Sequence, residues 1–158
     1  MTVDINNESG LEVDSPGLIR LATFALDQLR IHPQAELSIL IVDEETMSAY
    51  HQKYLGEDGP TDVLSFPMDE LRPPHDGDEP PEGLLGDIVL CPVVTNRQAE
   101  GHGRTPVEES EYLLVHGLLH LLGFDHGAPE ERAEMFSLKD KIITAWSTAR
   151  PDRAGVAR

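Results

Sequence analysis

Apolar positions recur along this chain with two different periods, and their succession predicts an α/β domain. A spacing of three to four residues indicates an amphipathic helix, whereas short β-branched apolar runs indicate buried strands. The short runs predict four strands, near residues 3–5, 37–42, 62–66 and 84–90. The helical spacing predicts five helices, near residues 15–29, 43–54, 92–99, 105–122 and 129–146. We therefore expect an α/β (α+β) fold, a single domain in which about four strands pack with about five helices.

The helix predicted over residues 105–122 is expected to be the central one. Thr105, Pro106 and Glu108 combine a capping box with an early proline, which marks a helix start. After Tyr112 the segment is apolar on nearly all sides, so it should be buried.

Capping residues also mark the first two helices. Ser15 precedes Pro16 and is predicted to cap the first helix, and Asp43 is predicted to cap the second.

Two segments lack the apolar residues that a core needs. Residues 69–83 are rich in Pro, Asp, Glu and Gly and predict a mobile acidic surface loop. Residues 149–158 predict a flexible tail. A single domain is therefore expected over residues 1–148.

The charge balance restricts the partners of the chain. Its 158 residues include 29 acidic and 12 basic side chains, which gives a net charge of −17. Phosphate binding draws on clustered Lys and Arg, so this excess argues against nucleic acid as a partner unless a local basic groove exists.

The sequence indicates a cytoplasmic protein without a membrane partner. No apolar run is long enough to cross a membrane, and the N-terminus lacks the layout of a signal peptide. The single cysteine, Cys91, excludes an internal disulfide and suits a reducing compartment. We interpret Cys91 as a small buried residue near a strand end. The alternative is a fourth metal ligand, which would close the metal site.

The segment from His116 to His126 carries the strongest chemical signal. His120 follows His116 by four residues, so both imidazoles lie on one face of a helix and can bind one ion together. Gly123 can take the left-handed conformation that ends a helix, which makes His126 available as a third ligand. Three neutral imidazoles with one position left for water describe an open, catalytic zinc-type site on the central helix.

This spacing is similar to that of the metzincin peptidases, with one departure. Gly117 stands where the peptidase motif has the glutamate that activates the metal-bound water. A glycine has no side chain to take a proton. We therefore expect the metal ligands of such a site without its peptidase base.

Three segments, in order, resemble the YbeY family of bacterial endoribonucleases: residues 61–67 (TDVLSFP), residues 86–88 (GDI) and residues 116–126. The similarity extends over roughly residues 35–146, with a compatible N-terminal strand and helix. The resemblance implies an α/β domain with a mixed sheet of about four strands, and one zinc ion, Zn²⁺, held by His116, His120 and His126.

The resemblance also implies an activity and its partners. It implies metal-dependent cleavage of single-stranded RNA, in maturation of the 3′ end of 16S ribosomal RNA and in ribosome quality control. The partners would be single-stranded ribosomal RNA, the small ribosomal subunit and its assembly factors, and neither DNA nor a membrane.

One position departs from the pattern of the family. Many members have an arginine after the tyrosine that precedes residues 61–67, and that arginine is considered important for RNA cleavage. Here Leu55 follows Tyr54, and Lys53 would point elsewhere on a helix. How this chain grips a phosphate is therefore open.

Proton transfer has two candidates, Asp125, which precedes the third ligand, and Asp87. Asp125 has an equally weighted structural alternative, as a helix cap or as an acceptor that holds a histidine ring. Asp87, Ser65 and Arg97 could line the cleft or could lie at strand ends and on the surface. The remaining histidines are expected to be solvated: His32, His51, His75 and His102.

Three classes of function remain. A metal-dependent endoribonuclease is favoured, with water or an RNA 2′-hydroxyl as nucleophile. A peptidase is disfavoured by the missing glutamate. A non-catalytic ribosome-assembly factor, in which the metal only stabilises the fold, is kept open by the acidic charge and by Leu55.

Overall fold

A four-stranded sheet and five helices make up the part of the chain that the computed structural model describes, residues 2–32, 34–69, 73, 77, 83–125 and 127–149. The strands are β1 (Thr2–Asn7), β2 (Glu36–Ile41), β3 (Val63–Pro67) and β4 (Leu84–Leu90). The helices are α1 (Ser15–Gln28), α2 (Glu44–Leu55), α3 (Pro92–Gly101), α4 (Pro106–Leu121) and α5 (Pro129–Ala149).

The sheet is mixed, as predicted, with strand order β1-β2-β4-β3. Strands β1, β2 and β4 run parallel, and β3 pairs antiparallel with β4 at one edge. A register shift in β2 between Glu36 and Leu37 leaves Leu37 opposite Gly86 in β4.

Side-chain caps explain where several helices begin. Asp14, and not Ser15, caps α1, because its carboxylate accepts a hydrogen bond from the Gly17 N–H at 3.1 Å. The predicted cap of α1 is therefore wrong by one residue, since a carboxylate three residues before an N–H reaches it as well as a hydroxyl does. Asp43 caps α2 as predicted, accepting from the Thr46 N–H at 2.8 Å.

The sheet separates two groups of buried apolar residues. Side chains of a strand alternate between its faces, so Ile88 and Leu90 point to one side of β4 and Val89 to the other. Ile88 and Leu90 pack in the larger group, with residues of α1, α4 and α5. Val89 packs in the smaller one, with Met47 of α2 and Cys91.

Helix α4 is the predicted central buried helix. Both bonds of its capping box are present: the Glu108 N–H donates to Thr105 Oγ1 at 3.1 Å, and the Thr105 N–H donates to Glu108 Oε1 at 2.9 Å. The helix packs on β3 and β4 and contacts α1, α3 and α5. The buried apolar side chains of α4 are Leu113, Leu114, Val115, Leu118, Leu119 and Leu121.

Parts of the two predicted flexible segments lie outside the described residues, namely residues 70–72, 74–76, 78–82 and 150–158. The mobile acidic loop, the tail and the domain limits of 1–148 therefore stay predictions. Helix α5 extends to Ala149, beyond the predicted end near Trp146. None of the helices in the described ranges has both the length and the apolar character that crossing a membrane requires.

Candidate active site

A cleft of about 650 Å³ lies between α4, β3 and α5. Its α4 side is formed by Glu109, Tyr112, His116 and His120, which recur every three to four residues and therefore share one face of the helix. Strand β3 forms the facing wall. Helix α5 adds Phe136 and Lys139, and the end of α2 adds Leu55.

The two histidines of α4 point their ring nitrogens at the same place. His116 Nε2 and His120 Nε2 are 3.1 Å apart, with the ring centroids 4.6 Å apart. Two nitrogens bound to one tetrahedral zinc ion, each at roughly 2.0–2.1 Å, are separated by about 3.3 Å. Both rings are half-buried. The pair therefore fits two ligand positions of one metal ion.

The third predicted ligand, His126, lies outside the described residues. Gly123, three residues before it, has the predicted left-handed conformation, with a φ of 93°. Within the described ranges, no group of three or more His, Cys, Asp or Glu side chains is arranged to hold a metal. The three-histidine zinc site therefore stays a prediction, of which the structure brings two members together.

Lys139 contacts the other nitrogen of His116. Its Nζ lies 3.0 Å from His116 Nδ1 and sits against the rings of Tyr112 and Phe136, at 4.1 and 3.8 Å from their centroids. The residue is 1% exposed, and burial lowers the pKa of Lys139 to about 8, so the ammonium form predominates at neutral pH.

An ammonium group is an unusual neighbour for a metal ligand. A ligating histidine normally donates its second ring N–H to an acceptor, which leaves the other nitrogen free for the metal. A lysine ammonium can only donate. The contact therefore holds the His116 ring in place but favours the proton on Nε2, the nitrogen that faces His120.

The sequence analysis did not find Lys139, Phe136 or Tyr112. The spacing of Tyr112, His116 and His120 was a usable signal, since each is four residues from the next. Lys139 gave no such signal, because it stands in the charged run Lys139-Asp140-Lys141, which is typical of a solvated face.

Gly117 fits closely against the sheet. Its carbonyl oxygen accepts a hydrogen bond from Ser65 Oγ of β3 at 3.0 Å. A Cβ at residue 117 would lie 3.1 Å from Ser65 Oγ and 3.3 Å from side-chain atoms of Ile88 and Val63. The position that carries the glutamate in the peptidase motif therefore faces β3 and β4 here, with no space for a longer side chain.

The structure places the other candidate residues in different regions. Ser65 lines the cleft. Asp87 lies on the opposite face of the sheet, because its neighbour Ile88 points to α4, and it lines a separate cavity of about 510 Å³. Arg97 is paired with Glu44 at 2.8 Å. Asp125 is exposed in the connection between α4 and α5.

A buried carboxylate at the first turn of α4 holds two basic side chains. Glu109, 1% exposed, accepts from Arg104 at 2.8 Å and contacts His102 Nδ1 at 2.8 Å. His102 lines the cleft with half of its side chain exposed to solvent, as predicted, although the contact with Glu109 was not foreseen.

The other histidines give mixed outcomes. His51 was also predicted to be solvated, yet its side chain is only 12% exposed, with contacts to the Gly59 carbonyl and the Glu57 carboxylate. The prediction failed because both partners belong to the turn after α2, and the sequence does not show that this turn folds back over His51. His32 is half-buried and accepts from the Gln34 N–H at 3.0 Å. His75 lies outside the described residues.

Leu55 and Cys91 behave as their side chains suggest. Leu55 lines the cleft, so the position of the family arginine does face this site and contributes only apolar surface.

Cys91 is fully buried in the smaller apolar group, and burial raises the pKa of its thiol. This supports the interpretation of Cys91 as a small buried residue.

Comparisons with known proteins agree on one family. The sequence model described as Endoribonuclease YbeY matches residues 4–147. The chain is 66% identical over 148 residues to the Endoribonuclease YbeY of Cutibacterium acnes, which covers 94% of this chain and 96% of the relative. It is 53% identical over 146 residues to the Endoribonuclease YbeY of Thermobifida fusca, covering 92% and 94%.

The fold agrees as well. A solution structure of a protein from Thermotoga maritima superposes with a TM-score of 0.61 at 25% identity, covering 99% of each chain.

The mixed sheet, the central helix with its paired imidazoles and the adjoining cleft together define an α/β protein with a histidine-containing site. The sequence comparisons narrow this class to one family. The chain belongs to the endoribonuclease YbeY family, as the three sequence segments predicted.

Proposed function

We propose that this chain is a zinc-dependent, single-strand-specific endoribonuclease that acts in the cytoplasm on the 3′ end of 16S ribosomal RNA. Membership of the family supports the endoribonuclease activity. One observation supports a location for the reaction: His116 Nε2 and His120 Nε2 lie 3.1 Å apart inside a cleft that is open to solvent.

The residues that would hold the ion are His116, His120 and His126. When bound, zinc supplies Lewis acidity toward a phosphoryl oxygen and activates water near neutral pH. The rigid, buried α4 keeps two of these rings in a fixed relation, which a catalytic site needs. Asp125, next to His126 in sequence, is our candidate for proton transfer; Asp87 is not, since it lies across the sheet.

The surroundings of Gly117 support a nuclease over a peptidase. The general base of the peptidase motif has no space at this position, because β3 and β4 approach the helix within van der Waals distance.

We propose that the small ribosomal subunit and its assembly factors bring the RNA strand to the cleft.

The test is a cleavage assay with purified protein and single-stranded ribosomal RNA. Chelator and each of His116→Ala, His120→Ala and His126→Ala should abolish cleavage, while added zinc restores it after the chelator. His32→Ala is the matched control, because His32 does not line the cleft, and it should cleave normally. Cleavage that survives chelator and all three variants would reject the mechanism.

The same variants separate catalysis from a purely structural metal. Circular dichroism and thermal unfolding are recorded on every variant. If His120→Ala unfolds the chain, the ion only stabilises the fold and the assembly-factor alternative gains support. A folded but inactive His120→Ala supports the enzyme. An unfolded protein substrate should remain intact throughout.

A further inference from the structure

Basic and aromatic side chains alternate in a row whose three middle members line the cleft, and we call it the basic–aromatic row. Its members, in spatial order, are Arg104, Tyr112, Lys139, Phe136 and Arg132. The Arg104 guanidinium carbon lies 3.8 Å from the Tyr112 centroid, and that of Arg132 lies 5.3 Å from the Phe136 centroid. In a chain of net charge −17, three basic side chains thus stand in one row, and the middle one, Lys139, contacts His116.

Arg104 is the member of the row that is both fixed and accessible. Lys139 is buried, whereas 31% of the Arg104 side chain is exposed. Glu109, itself 1% exposed, accepts a hydrogen bond from one terminal nitrogen of Arg104 at 2.8 Å. The backbone is held too, because the Arg104 N–H donates to the Ala99 carbonyl at 2.9 Å. Because both its backbone and its guanidinium are already fixed by hydrogen bonds, Arg104 would lose little conformational entropy on binding a ligand.

Arg104 lies beside the cleft, because it stacks on Tyr112, which lines it. Tyr112, on which Arg104 stacks, stands one helical turn before His116, about 6 Å along the axis of α4. A strand with one phosphate at the histidines would therefore bring a neighbouring phosphate toward the guanidinium. A planar guanidinium matches phosphate geometry and stacks on bases, which suits an unpaired RNA strand.

We propose that Arg104 is an RNA-binding residue, whose guanidinium contacts a phosphate beside the scissile one in single-stranded RNA. This inference rests on the proposed endoribonuclease function. Glu109 and Tyr112 are positioning residues, since they act by orienting Arg104.

The test uses Arg104→Gln in the zinc-loaded protein and a labelled single-stranded oligoribonucleotide. Removing one charge-assisted hydrogen bond, about 1.4 kcal/mol, should raise KM about tenfold with little change in kcat. The slope of the logarithm of KM against the logarithm of salt concentration should fall by about 0.7, the contribution of one phosphate contact in a single strand.

Two variants control for charge and for folding. Arg20→Gln makes the same change in net charge at an exposed position of α1, which packs on β1 at the sheet edge remote from β3, and it should leave KM unchanged. Arg104→Gln combined with Glu109→Gln keeps the net charge at −17 and leaves no buried carboxylate without its arginine. The double variant should still show the raised KM.

The outcomes separate this inference from the proposed function. Arg104 does not bind RNA if Arg104→Gln has the same KM and salt slope as Arg20→Gln and the unsubstituted protein. The same conclusion follows if the double variant regains a normal KM. In both cases the nuclease assignment stands. If the unsubstituted protein neither binds nor cleaves the oligoribonucleotide, both proposals are overturned.

Discussion

The contact between Lys139 and His116 bears directly on metal binding. The Nζ lies 3.0 Å from Nδ1, where a ligating histidine usually finds an acceptor. A residue that accepts from Nδ1 would direct the lone pair of Nε2 toward the ion.

Lys139→Gln is therefore expected to tighten zinc binding by about tenfold, since a glutamine oxygen accepts from Nδ1–H. The affinity is measured by competition against a chromophoric chelator. Lys141→Gln, an exposed residue with the same charge change, is the control and should bind zinc as the unsubstituted protein does. Lys139→Met removes the charge without supplying an acceptor and should give a smaller gain. Equal or weaker binding by Lys139→Gln would contradict the argument.

Single residues differ in how far the sequence alone could assign them. The His116–His120 pair follows from a four-residue spacing, which local helix geometry turns into a shared face. The placement of Asp87 could also have been predicted, because alternation along β4 sends it away from Ile88. The contact of Lys139 could not, since it depends on how α5 packs against α4.

At the scale of elements, the pairing of β3 with β4 forms one wall of the cleft and depends on Gly86. This glycine has a φ of 132° and stands opposite Pro67. A Cβ there would overlap with the Phe66 carbonyl oxygen and lie 2.9 Å from Pro67 Cα, both backbone atoms that cannot move aside alone.

Gly86→Ala should consequently lower the free energy of unfolding by about 2 kcal/mol or more, through backbone strain and the collision with β3. Urea denaturation followed by circular dichroism measures the change. Gly101→Ala provides the comparison, because a Cβ at the end of α3 meets nothing within 4 Å and should leave stability unchanged or slightly higher. Equal stability of the two variants would contradict this prediction, because it would show that β3 can move away from a Cβ at residue 86 at little cost.

Local sequence signals predicted the elements well and their ends less well. The capping box at Thr105 and Glu108 located the start of α4 correctly because both partners lie within one turn. The start of α1 at Ser15 was predicted correctly, but its capping residue was missed by one position, since Asp14 and Ser15 are both good caps and the sequence does not show which one accepts. His51 was misjudged because the turn that contacts it is not a property of its own helix.

At the scale of the whole molecule, the chain must bind a polyanion while carrying a net charge of −17. Part of this charge lies in the acidic segment, residues 69–83, which begins two residues after Pro67 of the cleft wall. Repulsion between this segment and RNA would act over about a Debye length, roughly 10 Å at 0.1 M salt.

Replacing Asp76, Asp78, Glu79 and Glu82 by their amides changes the net charge from −17 to −13. RNA binding should become tighter at low salt and converge with that of the unsubstituted protein at high salt. Fluorescence anisotropy over a salt series measures the effect. The same number of amides on the side of β1 and α1, remote from β3, should help less: Asp4, Glu8, Glu12 and Asp27. An equal gain from both sets would mean that only total charge matters.

The global arrangement was the least predictable from the sequence. The strand count followed from the apolar pattern and the mixed character of the sheet from the family resemblance, but the position of β3 at the edge beyond β4 depends on long-range pairing. The total charge likewise concealed the basic–aromatic row, which forms only when the start of α4 and the middle of α5 come together.

The absence of a side chain at residue 117 also bears on how this scaffold could change. Ser65 donates a hydrogen bond to the carbonyl of that glycine, and α4 packs closely on β3 and β4 at this point. Introducing a glutamate there would not be expected to create a protease, because the new side chain would extend toward Ser65, Val63 and Ile88 of the sheet. Changing the nuclease into a peptidase would therefore require further substitutions in β3 and β4, in addition to the one at residue 117.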